Sequence, residues 1–217
     1  MKRYINKHTY AIAFILVFLT FAGLIMTKIM NKEAVFVDVW MKGRLQSLQG
    51  EGGISFFEAI TELGSGIGIV GTLLLSSIWL WRKKRYPTII AFILAVAATR
   101  IVNKVLKAIV ARERPSLNAA VDGLGYSFPS GHAMLSIVTY GFLAAVIIIQ
   151  EMGKAKKAIV LLLAALLILL VGLSRIVLSV HYPSDILGGY CMGGMMFILF
   201  LYVNAYAQRW QRSKSAA

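Results

Sequence analysis

An all-α polytopic membrane protein is the fold class that three observations predict. It forms a single domain over residues 1–217, with six transmembrane helices and short interfacial helices in the first outer loop. First, 59% of the residues are hydrophobic and only 15% charged, against roughly half and a quarter in soluble domains. So few polar side chains could not cover a soluble domain of this size. Second, six runs lack Asp, Glu, Lys and Arg altogether: 8–27, 63–81, 86–99, 133–150, 158–174 and 186–208. Third, the basic residues gather between alternate runs, so the net charge of +14 is a topology signal rather than a nucleic-acid one.

Taken in order, five of the runs approach the ~17–25 residues that carry a helix across ~30 Å of hydrocarbon. The run at 86–99 reaches that length only by including Arg100 and part of the polar stretch after it. The first run, behind a basic Met1–Lys7, is read as a retained helix. Its apolar part exceeds a signal peptide's ~7–15-residue core, and no convincing cleavage site follows. Lys2, Arg3 and Lys7 precede it; Arg82, Lys83, Lys84 and Arg85 follow the second; Lys154, Lys156 and Lys157 follow the fourth, with Glu151 beside them; Arg209, Arg212 and Lys214 close the chain. Six spans with both termini cytoplasmic satisfy the positive-inside rule at every loop. Tyr10, Trp79 and Trp81 fit interface anchors.

The long outer loop at 30–61 carries Phe36, Val37, Trp40, Met41, Leu45 and Leu48 at helical spacing, and after Gly50–Gly53 come Ile54, Phe56, Phe57 and Ile60. The pattern suits short helices in the headgroup region, a loop packed over the bundle, or both. Gly66–Gly71 matches the letters of GxGxxG, but a dinucleotide site needs a strand before it, so close helix packing is the reading here. Gly189 and Gly193 form a GxxxG pair that lets another helix, or a second copy, approach. The lone Cys191 makes neither an internal disulfide nor a zinc site.

Polar residues collect at the outer ends. Arg100, Asn103 and Lys107 share one face of the third helix. Arg100 and Lys104 are open between snorkelling, internal pairing and a supporting role, whereas Lys107 leads into Arg112, Glu113, Arg114 and Pro115. Pro129-Ser130-Gly131-His132 starts the fourth helix, where Ser is a good N-cap and uncovered backbone N–H groups suit an oxyanion. Ser174-Arg175 and His181-Tyr182-Pro183-Ser184-Asp185 follow the fifth. Four residues apart, His181 and Asp185 can pair, with the carboxylate fixing the tautomer of the ring. Two histidines beside Lys107, Arg114, Arg175 and a helix start are an inventory for phosphoryl transfer, with cations in place of a two-metal centre.

At these residues the sequence resembles the type 2 phosphatidic acid phosphatase family, whose site is related to that of vanadium haloperoxidases. KAIVARERP, from Lys107 through Arg114 and Pro115, matches K-x6-R-P. Pro129–His132 is P-S-G-H, and SRIVLSVHYPSD, from Ser174 to Asp185, is S-R-x5-H-x3-D. The resemblance implies a helical bundle, an extracytoplasmic site and no cofactor or metal. It makes Lys107, Arg114, Ser130, Gly131 and Arg175 the phosphate cradle, His132 the general acid, His181 the nucleophile and Asp185 its orienting carboxylate.

The implied partners are the lipid bilayer and a membrane phospholipid or isoprenyl pyrophosphate substrate, with no nucleic acid. The chain looks most like small bacterial members that dephosphorylate phosphatidylglycerophosphate or undecaprenyl pyrophosphate. Phosphatidylglycerophosphate is the leading expectation; undecaprenyl pyrophosphate and phosphatidic acid are the alternatives. An anion transporter would place its polar or broken segments near midplane, whereas here they gather at one side. A membrane scaffold would leave the paired histidines unexplained.

Overall fold

The structure, a computed structural model, describes residues 7–115, 125–150 and 152–215, so Lys2, Arg3 and Glu151 lie outside the described residues. Among the described residues eight helices follow in order: α1 (Lys7–Met30), α2 (Phe36–Met41), α3 (Glu51–Glu62), α4 (Gly66–Arg82), α5 (Tyr86–Val110), α6 (Gly131–Ile148), α7 (Lys154–Val177) and α8 (Pro183–Ser215). A 3₁₀ turn at Gln46–Leu48 joins α2 to α3, and no strand occurs among the described residues.

Five helical segments are long and apolar enough to cross a membrane: His8–Met30, Tyr86–Val110, Gly131–Ile148, Lys154–Val177 and Pro183–Gln211. The sixth span is not the simple helix expected from the run at 63–81. α4 has 17 residues, or about 26 Å at 1.5 Å each, short of a ~30 Å core. The crossing reaches full length only with α3, from which α4 is bent by 48°. The chain is therefore an all-α polytopic membrane protein with five to six candidate spans. α5 carries the third run well past Arg100 to Val110, as its length requires.

The bend between α3 and α4 explains the glycine-rich stretch. Ser65 caps α4 by accepting a hydrogen bond from Gly68 N at 3.1 Å. A Cβ on Gly68 would stand 2.1 Å from Glu62 O, so the turn itself excludes a side chain there. Gly66 faces the Arg100 guanidinium, and Gly71 faces open space. The expected close helix packing through this motif is thus corrected: its tightest contact is with the chain's own preceding turn.

Helix packing through small residues occurs instead at the centre of the bundle. α6 lies against α8, α7 and α5. A Cβ on Gly189 would come within 2.8 Å of Ser130 O, and one on Gly193 within 2.7 Å of Met134 O, so the α8 glycines let the α6 backbone into contact. In a bilayer, where burying apolar surface between helices gains little over lipid, such close approach is a main source of association. Deeper in the bundle Phe92 of α5 and Phe142 of α6 stack at 4.9 Å, both fully buried. Leu161, Leu162, Leu163, Leu166 and Leu169 of α7 and much of α1 face outward, while Leu167 and Leu173 pack inward.

The loop before α4 does pack over the bundle. Phe57 of α3 is buried with Val177, Leu178 and Val180, while Phe36, Val39 and Trp40 of α2 remain exposed.

The alternation of the chain sets two unlike ends. One end collects the starts of α4, α6 and α8 and the finishes of α1, α5 and α7. The other collects Arg82–Arg85 and Lys154–Lys157, and there Gln208 Nε2 donates to Thr88 Oγ1 and to Asn204 Oδ1, both at 3.1 Å.

Candidate active site

The first end of the bundle holds all three polar clusters. α5 stops at Ala111, which adopts a left-handed φ of 48° and donates to Lys107 O at 2.9 Å. This turn swings Arg112–Pro115 across the helix starts. Ser127 N then donates to Arg112 O at 2.8 Å, and Ser130 N to Asp185 O at 3.0 Å, joining the α5 end, the α6 start and the α8 start. Asn103 Nδ2 donates to Pro129 O at 3.0 Å. A Cβ on Gly131 would meet Asn103 Oδ1 at 3.0 Å, so glycine allows α6 to start against α5. Lys107, one turn beyond Asn103, sits on the same face.

His181 is buried and precedes α8, with Asp185 in the first turn. Its Nδ1 lies 3.3 Å from Asp185 Oδ2 and 3.2 Å from Ser127 Oγ. Ser127 Oγ also donates a hydrogen bond to Asp185 Oδ2. The carboxylate has only acceptors to offer, so Ser127 gives its single proton to Asp185 and can only accept from His181. Nδ1 therefore carries the hydrogen, and Nε2 presents a lone pair. Arg114 Nη1 stands 3.4 Å from that Nε2 and donates to Val180 O at 3.0 Å; Nε of the same guanidinium donates to Gly125 O at 2.9 Å.

The other residues expected from sequence fall at the same end of the bundle. Ser130 is fully buried and caps α6 by accepting from Ala133 N at 3.4 Å. His132 is half-buried one position inside α6. A Cβ on Gly64, in the break between α3 and α4, would lie 3.0 Å from its ring and 2.4 Å from Val171 of α7. Arg175, one turn beyond Val171, is fully buried, with Nη1 donating to Thr61 Oγ1 at 2.7 Å. Arg100 and Lys104 are exposed on α5, as snorkelling side chains would be.

Three contributors escaped sequence reasoning. Ser127 carries no motif signal of its own. Arg112 stands inside the K-x6-R-P motif at a position the motif leaves open, and its Nη1 donates to Asp185 Oδ1 at 2.6 Å and to Ser184 Oγ at 2.7 Å, and its Nη2 to Asp38 Oδ2 at 2.7 Å. Burial works against its charge, yet Asp185 and Asp38 together outweigh that and hold its pKa above the usual value. Asp38, on α2, belongs to a loop whose apolar spacing is all that the sequence analysis reads, so the acid itself has no role there.

Beside His181 a cavity of about 590 Å³ opens, walled by Val39, Met41, Lys42 and Leu45 on one side and by Ile176, Ser179 and Tyr182 on the other. It has room for a lipid headgroup. Among the described residues no group of three His, Cys, Asp or Glu side chains is placed to hold a metal ion.

Comparison with known proteins gives the family and the fold. The family model described as PAP2 superfamily matches residues 88–209, more than half of the chain. Phosphatidylglycerophosphatase B of Bacillus subtilis (strain 168) is 31% identical over 142 residues, 64% of this chain and 70% of that protein. Decaprenylphosphoryl-5-phosphoribose phosphatase of Mycolicibacterium smegmatis is 38% identical over 89 residues, which span only 43% of its length. The crystal structure of a transmembrane PAP2-type phosphatidylglycerolphosphate phosphatase from Bacillus subtilis superposes with a TM-score of 0.75 at 26% identity, covering 88% of this chain and 94% of that one. Aquifex aeolicus LpxE shares the fold, with a TM-score of 0.51 at 23% identity over 82% of this chain and 92% of its own.

Proposed function

We propose that this chain, which belongs to the PAP2 superfamily and is a lipid phosphatase, hydrolyses the terminal phosphate of phosphatidylglycerophosphate. The products are phosphatidylglycerol and phosphate. The observation that carries the reading is the ring of His181, oriented through Nδ1 by Asp185 and Ser127, with its Nε2 faced by Arg114.

In this reading Nε2 attacks phosphorus in line, an N–P bond forms, and the P–O bond to the glycerol oxygen breaks. His132 gives that oxygen a proton. Water then attacks the phosphohistidine, His132 takes the water's proton, and phosphate leaves. Lys107, Arg114, Arg175, the Ser130 cap and the Gly131 backbone stabilise charge on the equatorial oxygens, without a metal ion. His181–Asp185 pairing keeps the imidazole oriented and steadies its positive charge as the bond forms.

The whole chain, residues 1–217, acts as one domain. The site faces away from the cytoplasm and both termini face it, with Phe36, Val39 and Trp40 of α2 at headgroup level. Cysteines placed singly at Ser47 and Ala155 in a Cys191→Ser background test the orientation. An impermeant thiol reagent should label the first in intact cells and the second only after permeabilisation; the reverse pattern would invert the topology.

The choice of substrate rests on where the cations are engaged. A pyrophosphate brings a second charged group that needs donors of its own. Arg112 is committed to Asp38 and Asp185, while Arg100 and Lys104 are exposed, which favours one terminal phosphate on glycerol. The match to decaprenylphosphoryl-5-phosphoribose phosphatase supports the second reading, an isoprenyl substrate such as undecaprenyl pyrophosphate. In chelator-containing mixed micelles at matched surface concentration, kcat/KM should be higher for phosphatidylglycerophosphate. A consistent preference of about tenfold for the pyrophosphate, ~1.4 kcal/mol in transition-state terms, would reverse the choice. Activity recovered only on adding Mg²⁺ or Mn²⁺ would overturn the metal-free mechanism.

His132→Ala should cost more with an alkyl phosphate than with an activated aryl phosphate, whose leaving oxygen needs little protonation. Equal proportional losses on both would remove His132 from the role of leaving-group acid.

A further inference from the structure

Asp38 lies far outside the three motifs, 146 positions from the residue it caps, yet it closes a continuous polar chain to the His181 dyad. Its Oδ1 accepts from Ser184 N at 2.8 Å and its Oδ2 from Ser184 Oγ at 2.6 Å, both at the start of α8. Its Oδ2 also binds Arg112 Nη2 at 2.7 Å, and Arg112 reaches Asp185 through Nη1 at 2.6 Å. The ring of Tyr182 stacks on the guanidinium at 3.9 Å, closing one of its faces.

Each oxygen of Asp185 thus has its own task. Oδ1 is anchored by Arg112, and Oδ2 serves Ser127, His181 and Tyr182 N, the last at 2.8 Å. The orientation of the carboxylate follows from the placement of Arg112, and Arg112 is fixed in turn by Asp38. A guanidinium between two carboxylates in a largely buried site is held in direction and neutralised. Without the charge of Asp38 it could turn about Asp185 or swing toward an incoming phosphate.

We propose that Asp38 is a positioning residue for the reaction: through Arg112 and Ser184 it sets Asp185 in the orientation that presents His181 Nε2. The inference rests on the dyad reading given above. It gives the outer-loop helix α2 a second task besides lining the cavity with Val39, Met41 and Lys42.

The test is a double-mutant cycle on the full-length enzyme, with Asp38→Asn and Asp185→Asn assayed singly and together on phosphatidylglycerophosphate. Asp38→Asn should lower kcat by about tenfold or more while KM stays within about threefold, because geometry at the reacting nitrogen is lost and not lipid binding. With Asp185→Asn already present, it should cost less than about twofold further. Unchanged kcat, a loss confined to KM, or an equal loss in both backgrounds would overturn the proposal. The last two would leave Asp38 a cavity-wall or purely structural residue. Full activity in Asp185→Asn alone would overturn the dyad reading as well, which separates that failure from a failure of Asp38. If Asp38→Asn does not accumulate as folded protein, Arg112→Gln run through the same cycle should show the same kcat loss and the same non-additivity, and unchanged kcat there would overturn the link.

Discussion

A single carboxylate, fully buried in the first turn of α8, organises the end of the molecule that holds the three polar clusters. Asp185 has no solvent to stabilise its charge, so the structure surrounds it with Arg112, Ser127, His181 and the backbone N–H of Tyr182. Its backbone oxygen also holds Ser130 N, the cap of the next helix in the site. One residue therefore couples the α8 start to the α6 start, fixes the tautomer of His181 and engages Arg112. Satisfying that charge brings together segments from α2, α5, α6 and α8.

The bundle beneath is built to let those segments meet. Backbone contact between α6 and α8 at Gly189 and Gly193 brings Ser130 and Asp185 to hydrogen-bond distance. The break between α3 and α4 puts Gly64 against His132 and Thr61 against Arg175, so an irregularity in a span becomes a wall of the site. Such a break is tolerated at membrane depth where neighbouring helices enclose it, and Thr61, just before it, is indeed buried.

Much of this was legible in the sequence because it depends on local chemistry. Charge-free runs of about twenty residues have few fates other than spans; α1, α5, α7 and α8 each contain the run that announced them, and α6 holds all of its run but the last two residues. Ser130 as an N-cap and the four-residue spacing of His181 and Asp185 are short-range patterns, and both recur in the structure. The rest was hidden for a physical reason. Whether Gly66–Gly71 packs a partner helix or permits a turn depends on which face the bend exposes. A lone Asp38 between apolar residues looks like any loop acid until α2 is folded onto the α8 start. Arg112 and Arg114 are two residues apart with the same charge, and only their partners separate one that holds Asp185 from one that faces His181.

The central claim is that His181 Nε2 forms the bond to phosphorus, and the most direct test is to locate the covalent phosphate. Enzyme turning over radiolabelled phosphatidylglycerophosphate is quenched in alkali, which preserves phosphohistidine, and its peptides are mapped. Label is expected on the peptide containing His181, stable to base and lost in acid, and absent from His181→Ala. Label on His132, or steady turnover by the His181→Ala variant, would contradict it.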